Sequence, residues 1–319
     1  MIRNLALIGS ALVLALLYLL LWPVPIDPVA WEAPVNQGLV DPFETNDQMK
    51  FLRSIDLGEY SGPEDVALGA DGQLYATTAD GKILRIDSRG RISEFADTGG
   101  RPLGIETDAD GSLVVANAYV GIQRIQRNGS VTTLLDNVAG QTLGYADDLA
   151  IGADGTIYFS EASTKFHAAD YGGTYEGSLL DIMEHGGHGL IVEFKPETGE
   201  SRVILDGLNF ANGVAISGDQ QYLLVAETGS YRVLKHWLQG PQAGDTEVLI
   251  DNLPGFPDNI NNGRSGKFWV GLVAPRIELL DKLSDKPFLR KVVQRLPAAF
   301  RPQAERYSHV IAINGDGEV

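Results

Sequence analysis

A short phrase recurs in phase along the chain, and it constrains the fold more than any other feature of the sequence. The phrase occurs five times, and the residues at its second position are Glu64, Leu103, Asp147, Asn212 and Asp258. Successive second positions are 39, 44, 65 and 46 residues apart. Repeats of about 40 to 45 residues that are rich in short strands are typical of β-propellers.

The rest of each repeat agrees with this interpretation. A turn and an apolar strand follow the phrase, and the turns include Asp71-Gly72, Asp110-Gly111 and Asp154-Gly155. Asp-Gly between apolar runs indicates a hairpin, because glycine tolerates positive φ. Two further strands follow in most repeats, which gives the four strands of a propeller blade. A β-sandwich is the alternative, but a sandwich would not keep the turn and the phrase in register. The chain is therefore predicted to be an all-β propeller over residues 48–319.

A propeller places equivalent positions of its blades around one axis. Four of the five second positions carry side-chain oxygen, namely Glu64, Asp147, Asn212 and Asp258. Oxygen donors that converge in this way suit a hard cation such as Ca²⁺. The alternative is that they cap turns, as single Asp and Asn residues often do. Four such residues in phase favour the cation site.

Composition excludes several function classes. The chain has 319 residues and no cysteine, which rules out disulfides, thiolate metal sites and a cysteine nucleophile. Its formal net charge of −17 argues against nucleic acid as a partner and suits cation binding.

The N-terminus has the pattern of a membrane segment. Residues 5–22 carry no charge and are preceded by Arg3, a length near the lower limit for a spanning helix. No small-x-small cleavage site follows, so the sequence favours an uncleaved signal anchor over residues 1–24 rather than a cleaved signal peptide. Arg3 predicts a single-pass membrane protein with the propeller on the extracytoplasmic side. Residues 25–47 are rich in proline and are predicted to form an extended stalk.

Two segments interrupt the repeats. The first, residues 163–188, includes a predicted short helix at 179–183 and the histidines His185 and His188. The second, residues 276–306, has eight Lys or Arg against four Asp or Glu in an otherwise acidic protein. A helix that begins at Pro287 would place the following apolar residues on one face: Phe288, Leu289, Val292, Val293 and Leu296. Two interpretations remain open: the helix covers one end of the propeller, or it lies on an anionic membrane surface.

Several segments resemble a known family. They are residues 148–163, 209–217, 224–229, 232–238, 253–260 and 268–272. The chain is similar there to the calcium-dependent six-bladed propellers that include paraoxonases, gluconolactonases and strictosidine-synthase-like proteins. Within this group it resembles the family of the adipocyte plasma-membrane-associated protein. The resemblance implies six blades. The sequence stops shortly after the strand at 308–313, so the last blade is predicted to lack its inner strands and the chain to be part of a longer one.

The resemblance also implies a set of calcium ligands. Paraoxonase-type sites match Glu64, Asp147, Asn212, Asp258 and Asn259 in this chain, with aspartate at 147 where those enzymes usually have asparagine. Two departures limit what can be carried over. Residues 114–119 lack the histidine of the proposed paraoxonase base pair, and the last-blade glutamate of the amine-condensing strictosidine synthases is absent. Alkaloid synthesis is therefore not expected.

These observations together predict a membrane-anchored, calcium-dependent hydrolase of small-molecule esters or lactones. Calcium would polarise the substrate carbonyl, and a protein base would activate water, because Ca²⁺ acidifies bound water only weakly. The candidates for catalytic residues are Asp258, Asp148 and His185. The alternative is a non-enzymatic propeller module with structural calcium that binds a partner on its end face. The oligomeric state stays open.

Overall fold

Five antiparallel sheets follow one another along the chain and form the blades of a propeller. The computed structural model describes residues 2–319, with the side chains of residue 4 and residues 6–319. Four blades have four strands, and the fifth has three. Strands that are adjacent in sequence pair with each other, so each blade is a simple meander. The prediction of a propeller is confirmed.

The strands of the first three blades alternate with tight turns. Blade 1 consists of β1 (Val66–Leu68), β2 (Leu74–Thr77), β3 (Lys82–Ile86) and β4 (Ile92–Asp97). Blade 2 consists of β5 (Pro102–Thr107), β6 (Leu113–Asn117), β7 (Gly121–Ile125) and β8 (Val131–Leu135). A small hairpin follows, made of β9 (Asn137–Val138) and β10 (Gln141–Thr142). Blade 3 consists of β11 (Ala146–Ile151), β12 (Ile157–Glu161), β13 (Gly189–Lys195) and β14 (Glu200–Leu208).

The last two blades complete the described propeller. Blade 4 consists of β15 (Ala211–Ile216), β16 (Tyr222–Glu227), β17 (Arg232–Trp237) and β18 (Thr246–Ile250). Blade 5 consists of β19 (Gly255–Asn262), β20 (Lys267–Pro275) and β21 (His309–Asn314). The first strands of consecutive blades contact one another in order, from β1 to β19, which makes them the innermost strands. The repeated phrase lies at or just before the start of each inner strand in blades 1–4 and within β19.

The predicted turns have the expected backbone. Gly72, Gly111 and Gly155 have φ values of 75°, 79° and 82°, a region that glycine enters without steric cost. Each turn joins the first and second strands of its blade, as the sequence predicts.

The number of blades differs from the prediction. The residues that the structure describes form five blades and not six. The strand assigned to a final blade, at 308–313, is instead the third strand of blade 5, where β21 pairs with β20 from Leu272 to Lys267. The basic segment that separates β20 from β21 makes this strand look like the start of a new repeat. Residues 49–55 form no strand.

Apolar side chains fill the space between adjacent blades. Val114 and Ile122 of blade 2 pack in one cluster with Leu149 and Phe159 of blade 3, and all four are buried. Complete burial of such a side chain contributes about 1.5–3 kcal/mol to the free energy of unfolding. These contacts fix the angle between neighbouring blades and so position the inner strands.

Three helices cover one end of the propeller, and we call them the roof. They are α2 (Thr174–Glu184), which lies in the insert between β12 and β13, and α3 (Glu278–Lys282) and α4 (Pro287–Gln294), which lie between β20 and β21. Pro287 occupies the first turn of α4, as predicted, because its missing N–H is not needed there. The helices of the basic segment thus pack over this end of the propeller.

The two faces of α4 differ from the amphipathic pattern. Phe288 and Leu289 are exposed, whereas Arg290 is fully buried. The Arg290 guanidinium donates to the backbone oxygens of Met183, Val29, Glu184 and Ser284. Helix ends and irregular segments leave carbonyl groups without partners, and a buried arginine can satisfy several of them at once.

The predicted stalk packs on the roof. Ile26 is buried, and the backbone N–H groups of Val29 and Trp31 donate to the oxygens of Glu184 and Ser284 at 2.9 and 3.1 Å. This segment therefore adds a strap across the outside of α2 and α4.

The N-terminal helix α1 spans Ile2–Leu21. Within the described residues, no helix is long and apolar enough to cross a membrane. The predicted membrane-spanning anchor is therefore not supported.

Candidate functional site

A cavity of about 480 Å³ lies between the inner strands and the roof. Its floor includes Glu64, Asp147, Asn212 and Asp258, and its walls are mostly apolar. The four oxygen-bearing residues of the repeated phrase thus converge on one cavity, as the phase of the repeats predicts. Leu103, the fifth member of the series, lines the same cavity. We call these five residues the floor ring.

Two members of the floor ring are in direct contact. The Asn212 amide donates from Nδ2 to Asp258 Oδ1 at 2.7 Å, across the boundary between blades 4 and 5. This bond holds the Asp258 carboxylate in one orientation. Asp147 and Asn212 are each less than 5% exposed, so their polar atoms are withdrawn from bulk water.

Burial and mutual repulsion dominate the electrostatics of the floor ring. Burial raises the pKa of Glu64 well above its usual value, and the nearby carboxylates of Asp147, Asp65, Asp258 and Asp148 raise it further. Carboxylates that gather in this way favour either a proton or a cation, because each would otherwise be charged among like charges.

The other two carboxylates of the floor ring show the same effect. Burial raises the pKa of Asp258 to about 6, although the hydrogen bond from Asn212 works against the shift. Burial and then the charge of Asp258 raise the pKa of Asp147, while the guanidinium of Arg101 lowers it. The floor ring therefore holds more negative charge than its surroundings stabilise.

The position after each key residue alternates between a residue with side-chain oxygen, Asp or Asn, and glycine. The series reads Asp65, Gly104, Asp148, Gly213 and Asn259. This alternation was not recognised from the sequence, although it is visible in the same aligned phrases.

The alternation links neighbouring blades. Asp65 Oδ2 accepts the N–H of Ile105 in blade 2 at 3.1 Å, and Asp148 Oδ2 accepts the N–H of Val214 in blade 4 at 2.8 Å. A Cβ atom on Gly104 would lie 2.4 Å from Asp148 Oδ1, so glycine is required where a neighbouring carboxylate approaches. These carboxylates fix the spacing of the inner strands and, with it, the floor ring.

The three candidates for catalytic residues occupy different surroundings. Asp258 lies on the cavity floor. Asp148 is buried and does not line the cavity, and its Oδ1 and Oδ2 accept the N–H groups of Leu149 and Val214. Of the three, only Asp258 is therefore exposed to a ligand in the cavity.

His185 lies outside the cavity, at the end of α2. It has a left-handed backbone with φ of 54°, and its ring stacks on Trp31 with centroids 4.0 Å apart. Burial, followed by the charges of Arg290 and Arg232, lowers the pKa of His185 to about 3. The neutral His185 ring therefore packs against Trp31 of the strap and does not face the cavity.

The donor set of the floor ring fits a calcium ion in its chemistry. Glu64 Oε2 and Asn212 Oδ1 are buried without hydrogen-bond partners in the described part of the chain. The Nδ2 atom of Asn259 is likewise unpaired among the described residues, so rotation of this amide to present Oδ1 breaks no hydrogen bond of Nδ2. Oxygens without donors are what a hard cation requires.

Carboxylates alone do not complete such a site. Among the residues that the structure describes, no three Asp, Glu, His or Cys side chains are arranged to hold an ion by themselves. A bound ion would therefore depend on the amide oxygens of Asn212 and Asn259 as well as on the acidic side chains. Aspartate at 147 keeps an oxygen at that position and adds charge.

Comparison with known proteins places the chain in a family. It is 32% identical to the adipocyte plasma membrane-associated protein of Rattus norvegicus over 92% of this chain and 82% of that protein. The chain belongs to the adipocyte plasma membrane-associated protein family. It is also 34% identical to the Arabidopsis thaliana protein named strictosidine synthase-like 6, over 82% of this chain and 70% of the relative. The resemblance inferred from the sequence is confirmed.

Family models and solved structures agree with this assignment. Residues 147–241 match the model described as strictosidine synthase, and residues 41–86 match the N-terminal model of strictosidine synthase-like proteins. A gluconolactonase from Xanthomonas campestris superposes with a TM-score of 0.58 at 22% identity, over 67% of this chain and 71% of the gluconolactonase. At this identity the likeness concerns the fold, and the family to which the chain belongs thus shares a propeller fold with a lactone hydrolase.

Proposed function

We propose that the protein is a calcium-dependent hydrolase of carboxylic esters or lactones. The observation that carries the proposal is the convergence of Glu64, Asp147, Asn212 and Asp258 on the floor of one cavity, with two of their buried oxygens unpaired in the described structure. The likeness of the fold to a gluconolactonase supports the same reaction class.

The four oxygen-bearing members of the floor ring would hold the ion, with Asn259 as an additional ligand beside Asp258. When bound, Ca²⁺ supplies a positive charge that polarises a carbonyl group and stabilises an oxyanion. Asn212 has a second task, because its Nδ2 atom donates to Asp258 Oδ1 and orients that carboxylate. The apolar walls and the roof limit the access of water to the floor, which strengthens electrostatic interactions there.

Asp258 is the carboxylate best placed to act as general base. It lines the cavity and is fixed by Asn212, whereas both Asp148 oxygens accept backbone N–H groups. A carboxylate within reach of a water molecule can take the proton that the water loses when it attacks the carbonyl. The acyl C–O bond of the ester or lactone then breaks, which gives the carboxylic acid, and the leaving oxygen takes the proton from Asp258 and becomes the alcohol group.

The proposal is tested with a panel of aryl esters and lactones, with and without a calcium chelator. We expect hydrolysis that stops in chelator and returns with calcium. Calcium at about 100 times its dissociation constant should also stabilise the fold by roughly 2.7 kcal/mol. A melting curve that responds to neither calcium nor chelator would remove the basis of the proposal.

Two variants separate ligand from base. Asn212→Ala removes an oxygen donor, and Asp258→Asn keeps an oxygen but removes a charge and a proton acceptor. Both should lose activity, and excess calcium should partly restore only Asn212→Ala. Equal restoration of both would show that Asp258 serves only as a ligand. Bound calcium without turnover of any ester or lactone would support a binding module instead.

A further inference from the structure

The repeats contain a second set of equivalent positions, two residues before the floor ring. The residues are Gly62, Arg101, Tyr145, Phe210 and Phe256. All except Gly62 line the cavity. The three aromatic residues belong to consecutive blades, at or just before β11, β15 and β19, and we call them the aromatic collar. Blades 3–5 therefore contribute aromatic side chains to the cavity lining, whereas blade 2 contributes the guanidinium of Arg101.

The collar is built to keep its shape. Phe210 and Phe256 are at most 5% exposed, and Tyr145 packs edge-on against Phe210 with centroids 5.2 Å apart. The Tyr145 hydroxyl donates to the backbone oxygen of Thr174 at the start of α2, at 2.5 Å. This bond ties the collar to the roof.

The roof adds a second apolar surface opposite the collar. α2 contributes Leu179, Ile182 and Met183 to the cavity lining, and the α3 region contributes Ile277 and Leu280. Ile182 packs against both the core cluster of Tyr145 and Phe210 and the cluster shared by blades 4 and 5. These contacts form an apolar chamber, bounded by collar and roof, that opens onto the charged floor ring.

We propose that this chamber binds the hydrocarbon part of the substrate, which is therefore a medium- or long-chain ester or a lactone with an alkyl side chain. The proposal rests on the hydrolase function above. A short polar ester would leave the chamber filled with water, whereas an alkyl chain would remove apolar surface from water on both partners. The carbonyl would then lie at the floor ring, since that is the end at which the polar atoms gather.

The first test is a series of 4-nitrophenyl esters from acetate to decanoate. Each methylene group that enters the chamber should lower KM by roughly three- to fourfold, the factor expected for burial of one CH₂ group. The gain should end when the chamber is full. A KM that does not change with chain length would overturn the proposal while the hydrolase function stands.

Two adjacent residues of α3 give a matched pair of variants. Leu280 lines the cavity, whereas its neighbour Leu279 is exposed and does not. Leu280→Trp should raise KM for octanoate at least tenfold more than it raises KM for acetate, and Leu279→Trp should change neither. Leu280→Phe is the milder substitution if the tryptophan variant fails to fold. Equal effects of the Leu279 and Leu280 variants would contradict the proposal.

A binding experiment separates this proposal from the hydrolase function. Methyl ketones carry the carbonyl and the alkyl chain but have no bond to hydrolyse, so calorimetry measures their binding without any reaction. The difference in affinity between 2-butanone and 2-undecanone then measures the contribution of the alkyl chain. We expect the longer ketone to bind at least a hundredfold more tightly, and Leu280→Trp to abolish the difference. If this holds while no ester or lactone is cleaved, the chamber is confirmed and the hydrolase function fails. Equal binding of both ketones would refute the chamber.

Discussion

Glu161 offers a test of how the buried acids of this propeller affect its stability. The side chain is 1% exposed at the end of β12. Its Oε1 atom accepts the N–H groups of Gly144 and Tyr145, each at 2.8 Å, so it holds the residues that lead into the floor ring. Within the described structure, Oε2 is buried without a partner. Glu161→Gln keeps the acceptor and the size of the side chain but removes the titrating group.

The sign and size of the effect follow from the pKa of Glu161. Burial raises this pKa from 4.5 to about 8, against the two backbone hydrogen bonds. The folded state therefore binds more protons than the unfolded state between these values. This contribution to the free energy of unfolding is fully present below the unfolded pKa and is lost as the pH rises through about 8. A difference of about 3.5 between the two pKa values corresponds to roughly 5 kcal/mol at most.

Urea unfolding in chelator measures this directly. The wild-type protein should lose stability between about pH 5 and about pH 8, and Glu161→Gln should lose several kcal/mol less over the same range. The control is Glu197→Gln, at an exposed turn of the same blade, which should follow the wild type. A Glu161→Gln protein whose stability falls with pH as steeply as that of the wild type would refute the reasoning.

Two further predictions concern packing. Gly213→Ala would bring a Cβ atom to 2.4 Å from the backbone oxygen of Asp258, and should lower the free energy of unfolding by about 2 kcal/mol or more. Gly218→Ala has nothing within 4 Å and should be nearly neutral, so equal melting temperatures of the two variants would contradict the structure. Arg290→Met removes the side-chain donor to four backbone oxygens, of which, in the described structure, only those of Glu184 and Ser284 keep an N–H donor from the strap, and should cost about 3 kcal/mol or more. Limited proteolysis should then cut the roof first, and unchanged protection would count against its role.

The positions that line the cavity floor could be predicted because a propeller brings equivalent positions of its repeats close together around one axis. Asp147 and Asn212 are 65 residues apart, yet both occupy the second position of the phrase, and the structure places both at one cavity. The aromatic collar carries the same signal, two residues earlier, and Phe256 could have been assigned in the same way. Periodicity thus predicts which residues share a layer of the channel.

Irregular segments carry no such signal, and there the predictions were less reliable. The basic charge of residues 276–306 resembles a surface pattern, but Arg290 is buried because backbone oxygens of the strap and of α2 need donors. The same segment separates β20 from β21, so a strand of blade 5 looked like a new blade. Both outcomes depend on contacts between residues that are distant in the chain, 107 and 261 positions apart for the bonds of Arg290 to Met183 and Val29, which local patterns do not encode.

The two acidic series of the inner strands have different consequences for the site. In the third position, Asp65 and Asp148 accept backbone N–H groups from the next blade, and Gly104 in the blade between them leaves room for the Asp148 carboxylate. Hydrogen bonds of this kind lower a carboxyl pKa, so these groups partly offset their own burial. In the second position, Glu64 Oε2 has no such donor among the described residues. The carboxylates that join blades thus have backbone donors, whereas Glu64, which lines the cavity, has a buried oxygen without a donor in the described structure. This difference between neighbouring positions, more than the number of acidic residues, is what favours a metal-dependent function.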